Sequence, residues 1–270
     1  MVHRLAVTVM AALALVLVAV ARPAEAPPVT LRIVFPEGFT VRKMADRVSE
    51  VRKIAIRKRH VTPRLTGVAY RVAAARARAP RAFRPYLKRR SIEGFLFPSL
   101  YEFTQHTQAS EVIAQQLDAF EERWRTIDLR GTRARNTNAY DVLIIASMIE
   151  RETVVPAERR LVSAVIYNRL KNDMPLAIDA TLRYGLGIPG TRPLTKKQLQ
   201  SNSRYNTRRF TGLPPTPIGN PGVPSMRAAA RPAARNYLYY LRKPNSIRHF
   251  FTADEEEFCA KVREYGYGDC

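Results

Sequence analysis

The sequence predicts an α+β fold on three observations. Apolar residues recur at helical spacing near 41–51, 109–126, 140–153 and 156–171, whereas short extended runs at 29–35, 92–103, 237–241 and 248–251 read as strands. The composition, 46% hydrophobic and 25% charged over 270 residues, is that of a folded chain and excludes wholesale disorder. Between 175 and 224, many Pro, Gly and Asn residues with little periodicity indicate a long structured loop region, which inside a compact domain is usually functional.

Taken in order, Met1 to Arg4 is a short basic start and Leu5 to Ala21 is apolar throughout except for Thr8. These 17 residues reach about 25 Å as a helix, enough for a short membrane span. Residues 1–26 therefore form a single-pass anchor or a cleaved signal; a buried core helix is the plainer alternative. Ala24-Glu25-Ala26 and Ala19-Val20-Ala21 both have the small-x-small form of a cleavage site, but Pro27 and Pro28 obstruct the first. Either membrane reading places the chain from about 27 onward outside the cytoplasm.

A strand at 29–35 leads through Pro36-Glu37-Gly38 to Thr40, which can cap a helix from Val41 to Val51 with Met44, Val48 and Val51 on one face. Lys and Arg total 45 against 23 Asp and Glu, a net charge of +22. From Arg52 to Arg90 there are 14 Lys or Arg and no acidic residue, so more than half of the excess lies there. This stretch is a solvated helical surface or an anion-binding one. With only Tyr70 and Tyr86 as tyrosines it lacks the aromatic interleaving of a base-stacking surface, and with the expected location this argues against a nucleic-acid partner.

Ile92 to Phe103 reads as an extended buried segment restrained by Pro98, and a helix from Ala109 to Thr126 follows. Tyr140 to Thr153 is the most apolar stretch outside the amino terminus, with Asn138 or Asp141 as its cap. Pro156 suits the first turn of a helix to Lys171. After the loop region come a helix from Ser225 to Ala234, two strands, and a helix from Ala253 to Glu264.

The chemistry points to Glu152, at the carboxyl end of the apolar helix and within about 60° of the face carrying Ile145, Met148 and Ile149. Burial and the negative end of the helix dipole both raise its pKa, as a general acid near neutrality requires. The plainer alternative is a structural carboxylate paired with Arg151, Arg159 or Arg160.

The run Ala146-Ser147-Met148-Ile149-Glu150-Arg151-Glu152-Thr153 is followed by Glu158-Arg159, Tyr167-Asn168-Arg169-Leu170, Met174-Pro175-Leu176, Asp179, Thr181 and Tyr184-Gly185-Leu186-Gly187. With Glu93-Gly94, Leu96-Phe97-Pro98, Tyr101-Glu102-Phe103, Tyr205-Asn206-Thr207, Gly212-Leu213-Pro214-Pro215 and Asn220-Pro221-Gly222, this set resembles the MltG/YceG family of endolytic murein transglycosylases over roughly 92–252. The resemblance implies a membrane anchor (1–26), a small LysM-like module (27–90, basic and truncated here) and a mixed α/β catalytic domain (91–270). It implies Glu152 as the single catalytic acid and base, cutting the bond between N-acetylmuramic acid and N-acetylglucosamine of nascent strands to leave 1,6-anhydro ends. Asn168, Asp179, Thr181, Tyr205 and Asn206 are expected to orient substrate, and no cofactor or metal is expected. Expected partners are peptidoglycan strands, the cytoplasmic membrane of a bacterial cell and peptidoglycan synthases. Alternatives are a non-catalytic glycan-binding scaffold of the wall machinery, or a hydrolase using Glu152 with Asp179.

The chain departs from the family pattern at Arg204, Arg208, Ala180 and Thr216, none of which touches Glu152. Gly185-x-Gly187-x-x-Gly190 matches a dinucleotide fingerprint only superficially, because Pro189 lies inside it and no strand-to-helix unit surrounds it. Cys259 and Cys270 could form a disulfide or remain free.

Overall fold

The computed structural model describes residues 28–87 and 89–270. The apolar stretch 5–21 and both candidate cleavage sequences lie outside them. Among the described residues no helix is long and apolar enough to cross a membrane.

The expected α+β class holds. The first unit comprises β1 (Leu31–Val34), α1 (Val41–Arg59), α2 (Gly67–Arg76), a 3-10 turn at Arg81–Tyr86 and β2 (Leu100–Phe103). β1 and β2 pair antiparallel, Leu31 opposite Phe103 and Ile33 opposite Tyr101. Alternation puts Leu31 and Ile33 into the core and leaves Arg32 outside, where it meets Glu102 at 2.8 Å. The ladder joins residues on either side of position 90, so the basic stretch is enclosed between the two strands of one unit.

Thr40 Oγ1 accepts the Lys43 amide at 3.2 Å and starts α1, which buries Met44, Ala45, Val48 and Ala55. The helix continues to Arg59 instead of ending at Val51. Lys, Arg, Ile and Ala sustain helix formation after the apolar stripe thins, and Arg57, Lys58 and Arg59 sit favourably at the negative end of the dipole. The extended run at 92–103 is regular strand only over its last four residues. Upstream, Gly94 adopts φ 92, and the Gly94 and Leu96 amides bond the Asn220 side chain instead of a neighbouring strand.

The remainder comprises α3 (Ala109–Trp124), α4 (Ala139–Glu152), α5 (Arg159–Lys171), α6 (Asp179–Leu186), α7 (Lys196–Leu199), α8 (Val223–Ala230), the hairpin β3 (Tyr239–Arg242) and β4 (His249–Thr252), and α9 (Glu255–Glu264). Packed against α5, α6 and α8, α4 is the core helix. Asn138 is its cap: Oδ1 accepts the Tyr140 and Asp141 amides, and Asp141 Oδ2 accepts the Asn138 amide in return at 2.9 Å. Val142 to Ile149 are all buried. The long loop is interrupted by α6 and α7, which are too short to display an apolar period. Cys259 and Cys270 form a disulfide that ties the tail to α9.

Candidate active site

Glu152 ends α4, where the next residue, Thr153, turns to extended geometry. Its carboxylate leaves the apolar face and lies against the β3–β4 hairpin, where Tyr240 Oη donates to Glu152 Oε2 at 2.9 Å. Burial raises the Glu152 pKa; the Tyr240 hydrogen bond opposes this, the Asp179 charge adds to it, and His249 and Arg151 lower it. The three suggested arginine partners are engaged elsewhere. Arg151 donates to Gly38 O, Arg159 faces Glu150 at 3.9 Å, and Arg160 bonds Arg231 O.

The hairpin is held behind Glu152 by contacts that close late in the chain. Glu158, buried before α5, accepts the His249 backbone amide at 3.0 Å and faces His249 Nδ1 at 2.7 Å. The His249 ring lies edge-on to Tyr240, with centroids 5.5 Å apart. From α5, Asn168 Nδ2 donates to Arg235 O and Tyr237 O, and Arg169 Nε donates to Leu238 O. Arg169 also bonds Pro175 O and Leu176 O, so one side chain joins the start of the loop to the start of β3. Burial lowers the Arg169 pKa, while the Tyr239 ring lies 5.2 Å from its guanidinium.

Asp179 opens α6 and feeds charge into the Glu152 site, and Arg208 Nε donates to its Oδ1 at 2.6 Å. This gives one departure from the family pattern a clear position: Arg208 is the Asp179 counter-ion, and both side chains remain partly exposed. Tyr205 packs edge-on to Tyr184 and bonds Thr216 at 2.8 Å, so the second departure, Thr216, is its hydroxyl partner.

The other candidates have internal partners. Thr181 is wholly buried and bonds Ile178 O and Thr207 Oγ1. Asn206 is also wholly buried, its amide donating to Leu199 O and Ser201 O. Both Asn168 amide bonds go to main-chain carbonyls. Asp179 is thus brought to the Glu152 site, Tyr205 lines the neighbouring loop, and Asn168, Thr181 and Asn206 secure backbone beneath it. Tyr240 and His249 lie against Glu152 although sequence reasoning gave them no role, and Glu158, quoted there only within the motif run, anchors His249. Among the described residues no three His, Cys, Asp or Glu side chains gather in a way that could hold a metal ion.

Asn220 connects this region to the first unit. Its Oδ1 accepts the Gly94 and Leu96 amides, and its Nδ2 donates to Phe39 O at 2.8 Å and Glu93 Oε1 at 2.9 Å. Two residues on, the Gly222 amide donates to Glu150 Oε2 at 2.9 Å. A side chain at Gly222 would displace the Glu37 carboxylate, which lies directly over it. Glu93 also accepts the Val41 amide and the Tyr184 hydroxyl, and burial pushes its pKa up to about 7.

The YceG-like family model matches residues 9–264. An endolytic murein transglycosylase of Bacillus subtilis (strain 168) is 36% identical over 176 residues, covering 64% of this chain and 48% of that protein. One from Streptococcus pneumoniae (strain ATCC BAA-255 / R6) is 23% identical over 250 residues, 88% of this chain and 45% of that one. The chain spans about half the length of these curated relatives. The crystal structure of a putative YceG-like protein from Listeria monocytogenes superposes with a TM-score of 0.71 at 27% identity, over 86% of this chain and 75% of that one.

Proposed function

The chain belongs to the YceG-like family, and from this premise we propose that it is an endolytic murein transglycosylase with Glu152 as its acid and base. The observation that carries the reading is a desolvated carboxyl at the end of a buried helix, with its pKa raised and one tyrosine hydroxyl donating to it. Burial favours the protonated form that can donate, and the Tyr240 hydroxyl stabilises the carboxylate once it is ionised.

In the reaction, Glu152 gives its proton to the glycosidic oxygen between N-acetylmuramic acid and N-acetylglucosamine as the C1–O bond breaks. Its carboxylate then takes the proton of the muramoyl C6 hydroxyl, whose oxygen bonds C1 of the same sugar. The product is a 1,6-anhydro end, and the carboxyl is returned to its starting state. Because the nucleophile is already tethered to the reacting sugar, no second carboxylate is required to activate water. The Arg208 partner of Asp179 supports a role for Asp179 in shaping the site's charge instead of acting as that second base.

Tyr205 and Asp179 are assigned to the substrate-facing surface, and Asn168, Thr181 and Asn206 to its support. The β1-α1-α2-β2 order supports the LysM-like module expected at 27–90, with its closing strand at 100–103 lying beyond that boundary. The stretch 5–21 is proposed to tether the chain to a bacterial cytoplasmic membrane, with the site on the outer side among nascent strands and their synthases. The Cys259–Cys270 disulfide supports an oxidising compartment.

Mass spectrometry of uncrosslinked glycan strands incubated with the purified chain tests the reaction. Anhydromuramoyl ends are expected. Reducing ends would indicate hydrolysis, and intact strands would indicate a glycan-binding scaffold.

A further inference from the structure

A cavity of about 540 Å³ opens between the start of α1, the inner face of α2, residues 90–93 and α6. Arg42, Lys43, Arg71, Arg90, Arg151 and Arg183 contribute to its wall, and none of the six forms an ion pair with a described residue. Glu93 is the one acidic residue in that wall, and its carboxylate is held by Val41, Tyr184 and Asn220. Lys43 records the crowding: burial lowers its pKa, and the Arg151 and Arg42 charges lower it further. Six cations around a single carboxylate leave an excess of positive charge that a bound anion relieves.

The rest of the wall identifies the class of anion. Ala74, Ala75, Ile92, Ile188 and Ile218 lie among the cations, which suits a ligand alternating carboxylates with small apolar groups. A phosphate would be better served by a free helix N-terminus. Here the Val41 amide is taken by Glu93 and the Lys43 amide by Thr40.

We propose that this cavity binds the acidic peptide stem of the glycan strand, so that the cations of the first unit select stem-bearing murein. This deepens the transglycosylase reading and rests on it. The stem hangs from the muramoyl sugar whose bond Glu152 breaks, and Arg151 in the cavity wall directly precedes Glu152, their Cα atoms about 3.8 Å apart. A stem of a few residues extends about 3.4 Å per residue from that sugar. The strong positive charge of 52–90 thereby acquires a specific site, at Arg71 and Arg90, in addition to its general field.

The test compares stem-bearing strands with the same strands stripped of peptide, using the full chain and its Arg42→Glu, Arg71→Glu double variant. The wild type is expected to show at least a tenfold lower KM for stem-bearing strands. The variant should lose that preference while keeping the wild-type kcat on stripped strands and the wild-type thermal midpoint. Calorimetry with the isolated stem peptide should show binding that the variant weakens tenfold or more, and inorganic pyrophosphate should compete poorly. Equal KM values for both strands, or an unchanged preference in the variant, overturn the proposal while leaving the transglycosylase reading standing. Pyrophosphate binding more tightly than the peptide overturns it in favour of a phosphate ligand. If neither kind of strand is cleaved, the transglycosylase reading fails; peptide binding that the variant leaves unchanged then refutes the cavity as well.

Discussion

Tyr240 Oη donates to Glu152 Oε2 across 2.9 Å, joining a hairpin near the end of the chain to the last residue of the core helix. Its hydroxyl stays protonated because burial raises its pKa well above the ordinary value, with the Glu152 charge adding to the effect.

This bond predicts how the pH profile responds to Tyr240→Phe. A donor to the ionised carboxyl lowers its pKa, so losing it raises the Glu152 pKa further. Activity that needs the protonated acid falls as pH rises through that pKa. In the variant the falling limb should move to higher pH by about 0.5–1 unit. A limb that stays in place or moves down contradicts the bond's role.

Glu158 is predicted to hold the hairpin in register with α4. Glu158→Ala removes the acceptor of the buried His249 amide and the partner of its ring nitrogen. The loss should be about 2–4 kcal/mol, or roughly 5–10 °C in the unfolding midpoint. Glu158→Gln, which retains an acceptor, should cost less. Calorimetry that finds both variants equal to wild type would remove Glu158 from this account.

Asn220 should be among the positions least tolerant of change. Asn220→Ala leaves the Gly94 and Leu96 amides without their acceptor, at about 3 kcal/mol, while the Phe39 carbonyl keeps the residue-220 backbone amide. Asn220→Asp preserves the acceptor but replaces the donor to Glu93 with a second carboxylate. Its stability deficit should therefore be larger at pH 8 than at pH 5, measured by denaturant unfolding; a deficit independent of pH would refute the contact.

Glu93 makes the stability of the wild type itself pH-dependent. Its folded pKa of about 7 lies above the ordinary value of 4.5, so between these limits the folded state binds more protons than the unfolded one. The stability associated with the protonated form is fully present below pH 4.5 and is lost as pH rises through 7, up to about 3 kcal/mol. Glu152 and Glu37, also raised by burial, act in the same direction. Glu93→Gln should flatten the slope whatever its effect on absolute stability, because the residue no longer titrates. An unchanged slope from pH 5 to 8 would exclude Glu93 as its source.

The position of Glu152 at the end of the buried helix was legible from the apolar run and its cap, but that helix alone equally suits a structural carboxylate, and only the surrounding motifs and the family they resemble singled Glu152 out. The helix boundaries there came out well because of that run and cap. Tyr240 and His249 were not legible, since their importance comes from a hairpin packed onto a helix that ends some ninety residues earlier. Period-two alternation places Tyr240 opposite Phe251 and two residues from the His249 position, but only packing reveals which face meets Glu152. Asn168, Thr181 and Asn206 show the converse difficulty. A long loop needs side chains to satisfy its buried backbone groups, and the pattern of polar residues alone does not distinguish these from groups facing a ligand. α1 exceeded its expected end because helix propensity outlasts amphipathic periodicity.

The central claim is that one carboxyl performs the chemistry, and the direct measurement is the mass spectrum of products from wild type and Glu152→Gln on the same uncrosslinked strands. The wild type should yield 1,6-anhydromuramoyl ends. The variant, folded as shown by an unfolding transition, should lose activity by about 1,000-fold or more. Full activity in Glu152→Gln, or reducing ends from the wild type, would contradict it.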